Sequence, residues 1–104
     1  MAKRITQDEF KKEISVPGRL TLIEFYSDSC IPCKRLSPLL AELEKKYPAL
    51  FIGKVNVAYE KELTLAQDVT STPTLIFYKE GRELERTCGA VKKAQLEEIL
   101  TRYQ

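Results

Sequence analysis

Leu20 to Pro38 reads L-T-L-I-E-F-Y-S-D-S-C-I-P-C-K-R-L-S-P. Leu20, Leu22 and Tyr26 alternate with Ile23 and Phe25, so both faces of a strand from Leu20 to Ser27 are largely apolar. Such a strand is central in a sheet, with helices covering it on each side. It carries one carboxylate, Glu24, and runs into Cys30-Ile31-Pro32-Cys33, where a helical pattern opens. Two thiols three residues apart in a first helical turn share one face and lie within reach of a disulfide.

The elements around this stretch follow from periodicity and punctuation. Leu36, Leu39, Leu40, Leu43 and Tyr47 recur at helical spacing, which predicts an amphipathic helix from about Pro32 to Tyr47, ended by Pro48. Pro38 lies inside it and predicts a kink, whereas Pro32 in the first turn loses little by lacking an N–H. Upstream, Thr6-Gln7-Asp8-Glu9 matches a capping box before Phe10 and Ile14, and Pro17-Gly18 ends that short helix. Downstream, Phe51 to Val57 reads as a strand parallel to the first, joined to it by a right-handed crossover. Glu60 to Asp68 forms a short helix, and Thr72-Pro73 marks the start of a strand from Thr74 to Lys79. Glu80-Gly81 is a turn, Glu83 to Cys88 a strand completing an antiparallel hairpin, and Leu96, Ile99, Leu100 and Tyr103 trace a final helix. The expected class is α/β, a central mixed β-sheet flanked by helices on both faces, as a single domain over residues 1–104.

Composition narrows the function. Seventeen basic and fifteen acidic residues give a net charge of +2, and the charges are scattered, which argues against a nucleic-acid surface or a polybasic membrane anchor. No apolar run suits a signal peptide or a membrane span, so the expectation is a cytoplasmic protein, although a removed leader would leave no trace. Three cysteines and no histidine leave a structural zinc site short of its four ligands. No metal is expected, and the C-x-x-C reads as a redox pair, with two inert cysteines as the competing reading.

A helix N-terminus stabilises a thiolate over a thiol. Cys30, at the very start, is therefore the expected exposed nucleophile, and Cys33, one turn in and more buried, resolves the mixed disulfide. Glu24 in a doubly covered strand should have a raised pKa and should exchange a proton with Cys33 through a water. The competing reading is a glutamate at a sheet edge, held by a lysine and idle. Lys54 in the neighbouring strand is the candidate modulator of Glu24, or else an ordinary solvent-facing lysine.

With these landmarks placed, the chain from about residue 20 onward resembles a thioredoxin. The resemblance is carried by E-F-Y-S-D-S-C-I-P-C-K, K-V-N-V, S-T-P-T-L-I-F-Y-K-E-G and C-G-A. It implies the thioredoxin fold and dithiol–disulfide exchange with partner proteins, with attack by Cys30 and resolution by Cys33. Glu24 stands where the family usually has a buried Asp, Lys54 where its companion lysine sits, Pro73 where its cis-proline lies, and Gly89 where a glycine keeps the docking groove open. Ile31, Pro32, Thr72, Pro73 and Gly89 are the implied substrate-binding residues, with Thr72 and Pro73 offering backbone groups to an extended substrate. No bound cofactor is implied. Electrons would come from a flavoprotein reductase, the substrates would be disulfide-containing proteins, and the chain would act as a monomer.

The departures are Ser29 for the tryptophan and Ile31 for the glycine of the usual W-C-G-P-C, Tyr26 where a second tryptophan is common, and Glu24 for the shorter Asp. They keep two alternatives open: a non-catalytic interaction module on the same fold, and a dedicated thiol oxidase or isomerase. Cys88 precedes the groove glycine. It is either a small buried apolar residue at a strand end or a regulatory or dimer-forming thiol beside the substrate path.

Overall fold

The computed structural model describes residues 2–103. Its elements run β1 (Lys3–Arg4), α1 (Gln7–Ile14), β2 (Leu20–Tyr26), α2 (Ile31–Lys46), β3 (Phe51–Asn56), α3 (Lys61–Ala66), β4 (Thr74–Lys79), β5 (Arg82–Cys88) and α4 (Lys93–Tyr103). The sheet order is β1-β3-β2-β4-β5. β3 is parallel to both β1 and β2, while β4 is antiparallel to β2 and to β5. The mixed sheet and the central place of β2 match the expectation from its two apolar faces. Glu24 is therefore at the middle of the sheet, and the sheet-edge alternative falls.

Each face of β2 has its own core. Leu22 packs with Leu36, Leu40 and Leu43 of α2 and with Leu96, Ile99 and Leu100 of α4. Ile23 and Phe25 pack on the other side with Phe10 and Ile14 of α1 and Leu63 of α3. Pro38 lies inside α2, and the helix runs on to Lys46. At the head of α1 the Thr6 N–H donates to Glu9 Oε1 at 2.9 Å, the reciprocal half of the capping box. Glu80 and Gly81 both have positive φ, 52° and 82°, the pattern of the two-residue turn that suits the twist of a hairpin. The Gly81 N–H also donates to Ile14 O at 2.9 Å, which ties that turn to the end of α1.

Two differences from the sequence expectation bear on the site. β1 is a strand that no pattern announces, because Lys3 and Arg4 are both exposed and are defined by pairing with Gly53 and Lys54. α2 begins at Ile31, which leaves Cys30 as its N-cap.

Leu22 is fully buried between α2 and α4. Truncation to Ala removes its transfer energy and leaves a cavity under the active strand, at a cost of about 2–5 kcal/mol. Urea unfolding of Leu22→Ala should show a lower midpoint with an unchanged slope.

Candidate active site

β2 delivers the chain to a short turn, Ser27 to Ser29, and then to Cys30 at the mouth of α2. Cys30 has extended backbone angles, φ −81° and ψ 107°, as an N-cap residue should. Its Sγ accepts a hydrogen bond from the Cys33 N–H at 3.2 Å. A sulfur here occupies the place a capping oxygen usually takes, facing the free N–H groups and the positive end of the helix dipole. Cys30 and Cys33 form a closed disulfide with Cα atoms 5.2 Å apart.

The expected burial of Cys33 holds at 5% exposure, whereas the expected exposure of Cys30 is corrected, since it is only 8% exposed. Tyr26, at the end of β2, forms one small buried cluster with Cys30 and Cys33. The exposed neighbour is Ile31, 62% accessible, with Pro32 also at the surface. The exposed surface beside this disulfide is therefore an aliphatic side chain.

Thr72–Pro73 is a cis peptide bond. Pro73 is buried, and its carbonyl accepts from the Gly89 N–H at 2.8 Å, with Gly89 at φ 80° where a side chain would be strained. Ser27 Oγ and Thr72 Oγ1 lie 3.5 Å apart, joining the turn before Cys30 to the loop before Pro73. Ile31, Pro32, Thr72, Pro73 and Gly89 thus belong to segments that converge at one end of the sheet.

Glu24 is 1% exposed and lies opposite Lys54 across β2 and β3. Its Oε1 is buried without a hydrogen-bond partner. Burial raises its pKa from 4.5 to about 7, and the Lys54 charge pulls the other way without cancelling it. Glu24, Cys33 and Lys54 all border a cavity of about 170 Å³. That is room for water at about 30 Å³ per molecule, so a proton could pass between the thiol and the carboxyl through it.

Cys88 ends β5, an edge strand, and is exposed, so its expected burial as a small apolar residue is corrected. Sequence reasoning placed a strand there without showing that it would lie at an edge of the sheet. It also missed Arg4, whose Nε donates to Tyr26 Oη at 3.0 Å. Nothing in a short polar N-terminal run points to a contact 22 residues away. Among the described residues no cluster of His, Cys, Asp or Glu could hold a metal ion, and no helix is long and apolar enough to cross a membrane.

Comparison with known proteins places this geometry. The family model described as thioredoxin matches residues 1–102. The thioredoxin of Chlamydia trachomatis is 34% identical over 104 residues, which is 100% of both chains. A solved Plasmodium falciparum thioredoxin superposes with a TM-score of 0.89 at 33% identity, covering 99% of this chain and 100% of that one. Thioredoxin f2 of Chlamydomonas reinhardtii reaches a TM-score of 0.92 at 25% identity, over 100% and 97% of the two chains.

The raised Glu24 pKa has a consequence for stability. The folded protein holds a proton that the unfolded chain releases between pH 4.5 and about 7. Stability is therefore fullest below pH 4.5 as far as this group is concerned, and falls by about 3 kcal/mol as pH rises through 7. In Glu24→Gln that slope should vanish, and denaturant unfolding at pH 8 should show the variant more stable than wild type.

Proposed function

The chain belongs to the thioredoxin family, and from that premise we infer how its residues divide the work of the exchange. The fold is the thioredoxin fold, and the activity is protein dithiol–disulfide oxidoreduction through a C-x-x-C pair. The single observation that carries the residue assignment is the Cys30 sulfur at the N-cap of α2, accepting the Cys33 N–H.

In the reduced protein Cys30 is the thiolate, favoured by the helix terminus. It attacks one sulfur of a partner's disulfide. The partner's S–S bond breaks, its second sulfur leaves as a thiolate that takes a proton, and a mixed disulfide joins Cys30 to the partner. Cys33 then gives its proton to the Glu24 carboxylate by way of the cavity both line. The Cys33 thiolate attacks Cys30 Sγ, the Cys30–partner bond breaks, and the partner leaves fully reduced. Two electrons have passed to the partner, and Cys30 and Cys33 are left as the disulfide described above. Lys54 tunes Glu24 across the strand pair.

Ile31 and Pro32 on one side, and Thr72, Pro73 and Gly89 on the other, form the docking surface. An extended partner segment would bond to backbone groups beside Pro73, in the manner of an added strand. The redox group is the protein's own disulfide, with no bound cofactor, and a flavoprotein reductase returns it to the dithiol. We further place the protein in the cytoplasm, acting as a monomer and as one unit over residues 1–104, of which Met1 and Gln104 lie outside the described residues. Cys88 stands outside this cycle. As an exposed thiol on an edge strand, it is where oxidation would link two copies.

Insulin reduction driven by dithiothreitol tests the assignment. Wild type should accelerate precipitation of the insulin chains, Cys30→Ser should fall to the uncatalysed rate, and Cys33→Ser should accumulate a mixed disulfide at Cys30. An inactive wild type would return the interaction-module reading, and an active Cys30→Ser would overturn the assignment of Cys30 as the attacking thiol.

A further inference from the structure

Glu24 and Lys54 face each other across adjacent strands, and residues so placed point to the same side of the sheet. An ion pair is the expected outcome, yet among the described residues the Glu24 carboxyl makes none and its Oε1 has no hydrogen-bond partner. The Lys54 ammonium is elsewhere. Its Nζ lies over the Tyr26 ring, 4.5 Å from the centroid. Tyr26 is two residues beyond Glu24 on β2 and therefore on the same face, at the diagonal position to Lys54. A second cation holds the other end of that ring, with Arg4 Nε donating to Tyr26 Oη at 3.0 Å. Arg4 and Lys54 are themselves register partners, so the tyrosine separates two like charges by giving one its hydroxyl and the other its face.

We propose that Tyr26 is a positioning residue of the exchange: anchored by Arg4, its ring holds the Lys54 ammonium off Glu24 and keeps that carboxyl unpaired to accept the Cys33 proton. This rests on the reading of Glu24 as that acceptor. The energetics are of the right order. A cation over an aromatic face gains about 0.5–2 kcal/mol, whereas moving an ammonium beside a buried carboxylate adds a desolvation cost that offsets much of the attraction. If the pair did form, a cation within 4–6 Å would make the carboxyl a weaker base by about 1–3 pK units. The remaining charged or titratable groups around the carboxyl are Cys33 and Lys34 on α2 and Asp28 in the turn after β2. On β4 the register partner is the apolar Leu75. Asp28 Oδ1 accepts from Asn56 Nδ2 at 3.4 Å, so that carboxylate is already engaged. Lys54 is the cation whose position decides the matter, and Tyr26 sets that position. Tyr26 also shares a buried cluster with Cys30 and Cys33, so the side chain that positions Lys54 belongs to the surroundings of the disulfide.

The test follows the Glu24 side-chain carboxyl by carbon-13 NMR through a pH titration of the oxidised protein, a readout that needs no turnover. Wild type should titrate near pH 7. Tyr26→Leu removes the ring face and should lower the midpoint by about one unit or more, Tyr26→Trp should restore it, and Tyr26→Leu in a Lys54→Met background should produce no fall. Should Tyr26→Leu fail to fold, Arg4→Gln at the exposed edge loosens the ring and should give a smaller fall, again abolished by Lys54→Met. A midpoint unmoved by Tyr26→Leu or by Arg4→Gln, or one that falls equally without Lys54, would overturn the proposal and leave the exchange reaction standing. A wild-type carboxyl titrating near 4.5 would remove the Glu24 assignment and the proposal together.

Discussion

An unpaired carboxyl in the central strand, under the helix that carries both cysteines, is the constraint around which this molecule is arranged. Glu24 is buried on every side by elements that the fold requires anyway: β3 and β4 flank its strand, and α2 covers its face. At neutral pH its partial charge costs about 3 kcal/mol of stability, a large share of the 5–15 kcal/mol by which a domain of this kind is stable. The two apolar cores on either side of β2 must offset it. A methionine or leucine at this position would be the stabilising choice, so the carboxyl's presence points to chemistry rather than to folding.

The position of the thiols completes the arrangement. Cys30 is held at the N-cap, where helix N–H groups favour its thiolate, while Cys33 lies one turn in and opens on the same cavity as Glu24. One sulfur is thus served by backbone dipoles and the other by a side-chain base. The proposed two-step exchange uses that asymmetry, because it wants a thiolate at Cys30 before a partner docks and at Cys33 only afterwards. Ile31, exposed between them, stands where the family usually has glycine and belongs to the proposed docking surface.

Much of this was legible in the sequence because burial on both faces leaves a pattern. Leu20 to Ser27 reads as a central strand because both of its faces are apolar, and that reading puts Glu24 inside the sheet and Cys30 at a helix start. The hairpin follows from Glu80-Gly81, and α2 and α4 follow from leucines at helical spacing. What could not be read depends on contacts between distant segments. β1 is two exposed residues whose strand character lies only in pairing with Gly53 and Lys54. The burial of Cys30 in a cluster with Tyr26 and Cys33, and the exposure of Cys88 at the end of β5, both depend on how distant segments pack. The Arg4–Tyr26–Lys54 arrangement joins three strands, and no local periodicity reports it.

The claim that Glu24 takes the proton of Cys33 is met most directly by stopped-flow reaction of reduced Cys88→Ser protein with limiting 5,5′-dithiobis(2-nitrobenzoate). Attack by Cys30 releases one thionitrobenzoate, and resolution by Cys33 releases the second, so the slower phase isolates the step in question. Its rate should rise with pH through a midpoint near 7, the value of the buried carboxyl, and should lose that midpoint in Glu24→Gln. A second phase that titrates only near the ordinary thiol value of about 8.5, and does so identically with and without the carboxylate, would contradict the account.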